Sequence, residues 1–423
     1  MATLRESRIL EPALEQESAE ARYARLSARL REIVALAYER APRVREQMRA
    51  AGVGPADIRD LDDLPRLPIT RKDDLSALQQ ADLPFARLLA VPVAQVHRIL
   101  MSPGPIYDPQ GPAEDFWRFR MAFAAAGLRA GDLVQNTLSY HLSPGGFMLE
   151  GGLRALGCVV IPAGTGQTEL QIRIAHDLGV TGYAGTPSFL HTLLTKAREA
   201  GTPLRIAAAF ATAEMLPESL RAELETEHRV RVLQGYATAD VGCLAYECPE
   251  KGGMHLQPET IVEVLDLETG QPAQPGQPGE VVATVFDTAY PLLRFATGDV
   301  SAFAADERCA CGRTARKLSG LLGRVGDAVK VKGMFVRGAQ LDAVFKSRPE
   351  VARWQAVVTR DGHHDQLAYL VELAAPASDP SGITAQLAEA LRETAKVRGE
   401  VRIVPAGTIP QQAKRIDDRR VWK

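Results

Sequence analysis

Apolar positions recur at helical spacing through residues 11–51, among runs of Ala, Leu, Glu and Arg, and predict one or two helices there. Pro65 and Pro68 interrupt the pattern, and Thr70 ahead of Arg71, Lys72 and Asp73 reads as a helix cap. From about Val91 to Thr284, short apolar runs of strand type alternate with helical stretches. Cys158–Pro162 precedes Gln171–His176, Gly182–Tyr183 precedes Ser188–Ala197, and Ile206–Ala211 precedes Pro217–Glu227. Such alternation predicts an α/β fold with parallel sheets covered by helices. Residues 270–280, GQPAQPGQPGE, read as a turn between two strands. The last part of the chain, 328–423, has its own pattern: strands near Trp354–Thr359, Gln366–Leu373 and Arg402–Pro405, and a helix near Ile383–Ala395. It predicts a small α+β domain.

Length supports the division, because 423 residues exceed what one hydrophobic core usually organises. A net charge of -2 gives no bulk attraction to nucleic acid or to a membrane surface. Apolar runs are too short to span a bilayer, and the opening MATLRESRILEPALEQE lacks a signal peptide's apolar stretch, so a cytoplasmic protein is expected. Five cysteines in a chain of this size argue against a disulfide framework. Cys158, within GCVVIP, reads as core. Cys248 and His255 form a C-x6-H pair, and Cys309 and Cys311 a C-x-C pair. Together they are candidate ligands of a structural zinc ion, with Cys243 an alternative fourth ligand and reduced structural cysteines the plainer reading.

Several segments, weak singly, occur together in order. They are Leu61–Leu75 (LDDLPRLPITRKDDL), Gly166–Leu170 (GQTEL), Gly185–Leu190 (GTPSFL), Thr212–Glu214 (TAE), Arg294–Asp299 (RFATGD), Gly323–Asp327 (GRVGD) and Val331–Val336 (VKGMFV). On these the chain resembles the phenylacetate–CoA ligases of the adenylate-forming (AMP-binding) acid–CoA ligase superfamily. The resemblance implies a large N-terminal domain over 1–322, a hinge at 323–327 and a small mobile C-terminal domain over 328–423. It implies ATP, AMP, CoA and Mg²⁺ as cofactors, and a hydrophobic or aromatic carboxylic acid as the small-molecule partner. The acid attacks ATP to give an acyl-adenylate, and the CoA thiol then displaces AMP. Neither nucleic acid nor membrane is an expected partner, and a homodimer is compatible with the resemblance.

Residue by residue, the resemblance assigns the ribose hydroxyls to Asp299, whose carboxylate can accept from both; alone it would read as a turn Asp. Arg324 is expected to reach ribose or phosphate from the hinge side, and a solvated arginine is the plainer alternative. Tyr236 is expected to stack on adenine, within a nucleotide-binding stretch Gly235, Tyr236, Ala237 and Thr238; a core tyrosine is the alternative. Ala213 and Glu214 resemble the segment on the other side of the base. Tyr140, His141, Gly145 and Gly146 (SYHLSPGG) resemble the acid-binding loop, where glycine permits close approach of backbone. Relatives also carry a similar Cys-x-Cys-Gly-Arg-Thr segment, which favours the zinc reading.

Departures cluster on the phosphate machinery. Ser102-Pro103-Gly104-Pro105-Ile106-Tyr107-Asp108-Pro109 stands where the family has a loop rich in Ser, Thr and Gly. Prolines remove donors and Asp108 repels phosphate, so this loop is not expected to cradle a triphosphate. Asp240 keeps the charge expected to hold Mg²⁺ but is shorter than the family's Glu. In Gln411–Arg420 (QQAKRIDDRR) the adenylation lysine aligns with Gln412, and Lys414 is its candidate substitute. Gly326-Asp327 occupies the hinge pair. Two outcomes stay open: an ATP-dependent acid–CoA ligase, or a homologue that binds an adenylate, an acyl-CoA or a partner protein, or performs only the thioester half-reaction.

Overall fold

The computed structural model describes residues 6–267, 269–305, 309–325, 328–332, 334–362, 364–376, 379–410 and 413–420. Ser18 caps the long helix Ala19–Arg40 by accepting from the Ala21 amide at 3.1 Å. Leu26, Leu30, Ile33, Val34 and Ala37 form its buried stripe. The helix stops before Pro42, which opens the next helix, Pro42–Ala50, at a position where its missing N–H costs nothing.

The alternating region forms a parallel half-sheet. Its strands run Val159–Pro162, Leu133–Asn136, Gly182–Gly185, Ala208–Ala211 and Arg231–Thr238 in spatial order, each parallel to its neighbour. Crossover helices Pro144–Ala155, Thr168–Leu178, Pro187–Glu199 and Glu218–Thr226 connect them, as parallel pairing requires. Strand Leu133–Asn136 has the next strand in sequence on one side and the one after on the other. That reversal is a topological switch point, where α/β sheets open a crevice at the carboxyl ends of their strands.

The same sheet continues as strands Gly242–Glu247, Met254–Leu256, Lys317–Arg324, Phe295–Phe303, Gly279–Val285 and Thr260–Asp266, with antiparallel pairings at Gly242–Glu247, Met254–Leu256 and along the outer three. The expected cap at Thr70 does not form. Thr70–Arg71 pairs in parallel with Phe295–Ala296, the Thr70 amide donates to the Arg294 carbonyl at 3.2 Å, and the helix Lys72–Ala81 begins after it without a side-chain cap. Residues 270–280 do join two antiparallel strands.

The chain divides into two compact units: residues up to Leu216 with Arg221–Leu322, and Pro217–Leu220 with the residues from Gly323 onward. The second contains a four-stranded sheet in the order Glu400–Ile403, His364–Leu373, Val351–Asp361, Ile416–Asp418. Its core gathers Leu341, Phe345, Val358, Tyr369, Leu387 and Leu391. The hinge pair Gly326-Asp327 lies outside the described residues. No described helix is long and apolar enough to cross a membrane.

Candidate active site

The switch-point crevice is built around Asn136, the last residue of its strand. Asn136 Nδ2 donates to the Tyr140 hydroxyl at 2.7 Å and to the Gly146 carbonyl at 2.8 Å, and so fixes the loop between strand and helix. Gly146 is obligatory there: a Cβ would stand 2.7 Å from the Tyr140 ring and 2.9 Å from the Ser139 carbonyl oxygen. Tyr140 is half-buried against Phe147, rings edge to face at 5.1 Å. Burial, and then the charge of Glu150, raises the Tyr140 hydroxyl well above the usual phenol range, so it stays protonated. Gly145 lies in the first turn of Pro144–Ala155, capped by Ser143. His141 points away from this arrangement: it is exposed, and its amide donates to Ser139 Oγ at 3.2 Å.

The nucleotide residues gather at the carboxyl ends of neighbouring strands. Thr212 Oγ1 donates to the Gly235 carbonyl at 3.1 Å, joining two of them. Ala213 sits at φ 67°, a left-handed turn that directs Glu214 to accept from Ser188 Oγ at 2.6 Å. Gly235 leaves room for Phe210, whose ring would lie 2.5 Å from a Cβ. Thr238 Oγ1 accepts from the Val241 amide at 3.3 Å, beside half-buried Ala237.

Tyr236 departs from expectation. Only 3% of it is exposed, so its ring packs in the core and offers no face to a base. Its hydroxyl lies 2.9 Å from Asp299 Oδ2 and 3.0 Å from Thr297 Oγ1. The Asp299 amide donates to Thr297 Oγ1 at 3.1 Å, and that hydroxyl donates onward to the Val281 carbonyl at 2.9 Å. Tyr236 thus aims a buried carboxylate. Arg324, half-buried, belongs to the second unit.

The altered phosphate loop is a β-hairpin. Arg98–Ser102 pairs with Ile106–Gln110, and the Met101 amide, which faces out of this ladder, donates to the Leu142 carbonyl at 2.8 Å, so it is not presented to a phosphate. Gln79 braces it, accepting from the Tyr107 amide at 2.7 Å and donating to the Tyr107 carbonyl at 2.9 Å. The hairpin turns Asp108 inward. Burial, reinforced by the charge of Asp240 and opposed by the Lys72 ammonium, pushes the Asp108 carboxyl up to about 8. Lys72 is buried and paired with the Asp240 carboxylate. Hydrogen bonds from Ser102 also oppose the rise at Asp108, whereas Asp240 Oδ1 lacks a hydrogen-bond partner. Two carboxyl groups and one ammonium are therefore buried together. Sequence reasoning recognised Asp240 here but gave no role to Lys72 and treated Asp108 only as a repulsive charge.

A second cluster joins all four predicted thiol and imidazole ligands. The ligating atoms of Cys248, His255, Cys309 and Cys311 all lie within 4.8 Å of one another. Cys248 Sγ is 3.5 Å from Cys309 Sγ, and Cys311 Sγ is 3.5 Å from His255 Nε2. Ligands of tetrahedral zinc stand about 3.5–3.8 Å apart at ordinary bond lengths, and these two contacts match that spacing. His255 Nδ1 lies 3.0 Å from the Ala315 carbonyl, a contact that directs Nε2 at the cluster. Cys243 is fully buried elsewhere in the core. The loop after Cys311 grips the start of the chain: Arg313 Nε donates to Glu15 Oε2 at 2.6 Å and Arg313 Nη2 to the Arg8 carbonyl at 2.7 Å. The Tyr246 hydroxyl also donates to Glu15 Oε2, at 3.0 Å.

Lys414 is exposed, and its carbonyl accepts from Gln355 Nε2 at 2.9 Å. Gln412 lies outside the described residues.

Residues 116–284 match the AMP-binding enzyme family, and residues 333–420 match the AMP-binding enzyme C-terminal domain. The phenylacetate-coenzyme A ligase of Thermus thermophilus is 34% identical over 382 residues, covering 86% of this chain and 84% of the relative. That of Aromatoleum evansii is 29% identical over 439 residues, covering 97% of each. In fold the chain is similar to a 2-hydroxyisobutyryl-CoA ligase crystallised with 2-HIB-AMP and CoA: TM-score 0.86, 24% identity, 97% of this chain and 92% of that one covered. With identity of 34% across most of both chains and the two AMP-binding segments present in order, the chain belongs to the phenylacetate–CoA ligase family of AMP-binding enzymes.

Proposed function

We propose that the protein is an AMP-forming acid–CoA ligase acting on a hydrophobic, aromatic-type carboxylic acid. The observation that carries the reading is the Asp299 carboxylate, buried and held by the Tyr236 hydroxyl at 2.9 Å. A carboxylate so placed accepts from both ribose hydroxyls. Tyr140 and the backbone at Gly145–Gly146 line the acid's place at the switch point. An acid oxygen attacks the α-phosphorus and pyrophosphate leaves; the CoA sulfur then attacks the acyl carbon and AMP leaves. Residues 323–327 serve as the hinge between these steps, and Arg324 is the hinge residue assigned to ribose or phosphate.

Asp240 and Asp108 together fit Mg²⁺, since they bring two buried carboxyl groups side by side, oxygen donors of the kind a hard cation takes. Bound Mg²⁺ supplies charge neutralisation of the triphosphate. Lys72 adds a fixed cation where the hairpin has lost amide donors. Cys248, His255, Cys309 and Cys311 hold a structural zinc. The five unpaired cysteines suit a reducing cytoplasm.

The hairpin pairing of the phosphate loop favours a second reading, in which adenylation is lost and only the thioester half-reaction, or adenylate binding, remains. ATP–pyrophosphate exchange with a panel of aryl and alkyl acids separates the two, run beside CoA-thioester formation from a synthetic acyl-adenylate. Exchange establishes the ligase. Thioester formation without exchange establishes the half-reaction. Failure of both assays would leave a binding protein.

A further inference from the structure

On the helical layer beside the parallel strands, two helices present a group of ligating side chains that the nucleotide chemistry does not use. His191 comes from helix Pro187–Glu199, Glu223 from helix Glu218–Thr226, and His228 from the turn that follows. Their donor atoms all lie within 4.8 Å of one another. His191 Nε2 is 2.7 Å from Glu223 Oε1, and the two imidazoles stand edge to face with centroids 6.2 Å apart. Thr195 Oγ1 is 3.5 Å from His191 Nε2, and the nearby Arg198 pairs with Glu227 at 3.6 Å.

A histidine–glutamate ion pair explains His191 and Glu223 but leaves His228 unexplained. His228 Nε2 is buried and has no hydrogen-bond partner. Withdrawing a ring nitrogen from water without a partner is unfavourable, and a bound cation at the centre of the group would supply one. We infer that His191, Glu223 and His228 form a binding site for a borderline divalent cation such as Zn²⁺ or Ni²⁺. The donor set decides the class: imidazole nitrogen suits zinc, nickel and copper, whereas Mg²⁺ and Ca²⁺ take oxygen. Three protein ligands leave a fourth position to water. Donors around tetrahedral zinc stand about 3.3 Å apart, and the three side chains here are half-buried rather than locked in the core.

The ion would staple helix Pro187–Glu199 to the turn ending Glu218–Thr226. The first turn of Pro187–Glu199 carries Ser188, which holds Glu214 at 2.6 Å, so the staple stiffens one side of the nucleotide segment.

The test uses untagged full-length protein with its cysteine cluster left intact. Isothermal titration with Ni²⁺ is compared for wild type, His191→Gln, His228→Gln and Glu223→Gln. One equivalent binds wild type, and each histidine variant weakens it by about tenfold or more. Cu²⁺ added to wild type gives an electron-spin spectrum with splitting from two imidazole nitrogens, reduced to one in either histidine variant. Glu223→Gln, which keeps size and shape, weakens Ni²⁺ binding as well and so answers for any histidine variant that fails to fold. No Ni²⁺ binding to wild type, or unchanged affinity in the variants, would overturn the site.

Discussion

On the proposed reading Asp299 holds the ribose, and its loss then has a defined size. A charge-assisted hydrogen bond contributes about 1.5–3 kcal/mol, so Asp299→Ala is expected to weaken AMP binding by about 10- to 150-fold in calorimetry. Tyr236→Phe deletes only the hydroxyl that aims the carboxylate, and AMP affinity is expected to fall by about 1 kcal/mol with the fold intact. A larger loss than for Asp299→Ala would contradict the aiming role. Asp108 makes a prediction of opposite kind. Its folded carboxyl sits at about 8 against an ordinary 3.8, so between those values the native state holds a proton that the unfolded chain has released. Stability therefore falls as pH rises through that window. Melting temperatures in EDTA should show this slope, and Asp108→Asn should flatten it. Asp299 stands out in the sequence as a candidate because Thr297 and Gly298 stand beside it in a recognisable run. The Lys72–Asp108–Asp240 pocket was not, because its members lie in three separate elements, and Lys72 and Asp240 are 168 residues apart. Nor did the motif around Tyr236 reveal that strand Arg231–Thr238 buries this ring, because burial there depends on neighbours far along the chain.

Elements were read well where periodicity had one cause. The stripe of Ala19–Arg40 and the short runs between crossover helices carry their own signal, and the structure forms them within a few residues of the expected places. The antiparallel half of the sheet was not anticipated, for a physical reason. Gly279–Val285 is buried along its entire length and does not alternate apolar with polar, and in Phe295–Phe303 the polar Thr297, Asp299 and Ser301 are buried too, so polarity does not mark an outer face. At the switch point, Gly146→Ala would drive a methyl into the Tyr140 ring and the Ser139 carbonyl. A cost of about 1–3 kcal/mol is expected, with a raised KM for the acid, and an unchanged melting temperature would show that the loop yields freely. The cysteine cluster binds segments about 60 residues apart, as the Cys248–Cys309 separation of 61 shows. Wild-type protein is expected to carry about one zinc equivalent by atomic absorption, and Cys309→Ser to lose most of it and melt at lower temperature. Metal-free protein of full stability would exclude the ion.

For the whole molecule, the sharpest question concerns residues 411–420. The family resemblance places the lysine expected to meet the charge developing at the attacked phosphate at Gln412. Losing one preorganised stabiliser costs roughly 10²–10³ in rate. ATP–pyrophosphate exchange is therefore expected to be slow and to rise in Gln412→Lys. Fast exchange abolished by Lys414→Ala but indifferent to Gln412→Ala would instead give Lys414 the role. The buried clasp of Glu15 and Arg313 bears on how the protein comes into being. Translation delivers the chain from its amino end, so Glu15 leaves the ribosome 298 residues ahead of its partner. A carboxylate does not enter a dry interior unaccompanied, and until Arg313 is made this one stays in water. Nascent chains arrested short of Arg313 should thus leave residues 6–18 open to protease, and those released past it should protect them. The first segment synthesised is in this sense among the last to settle.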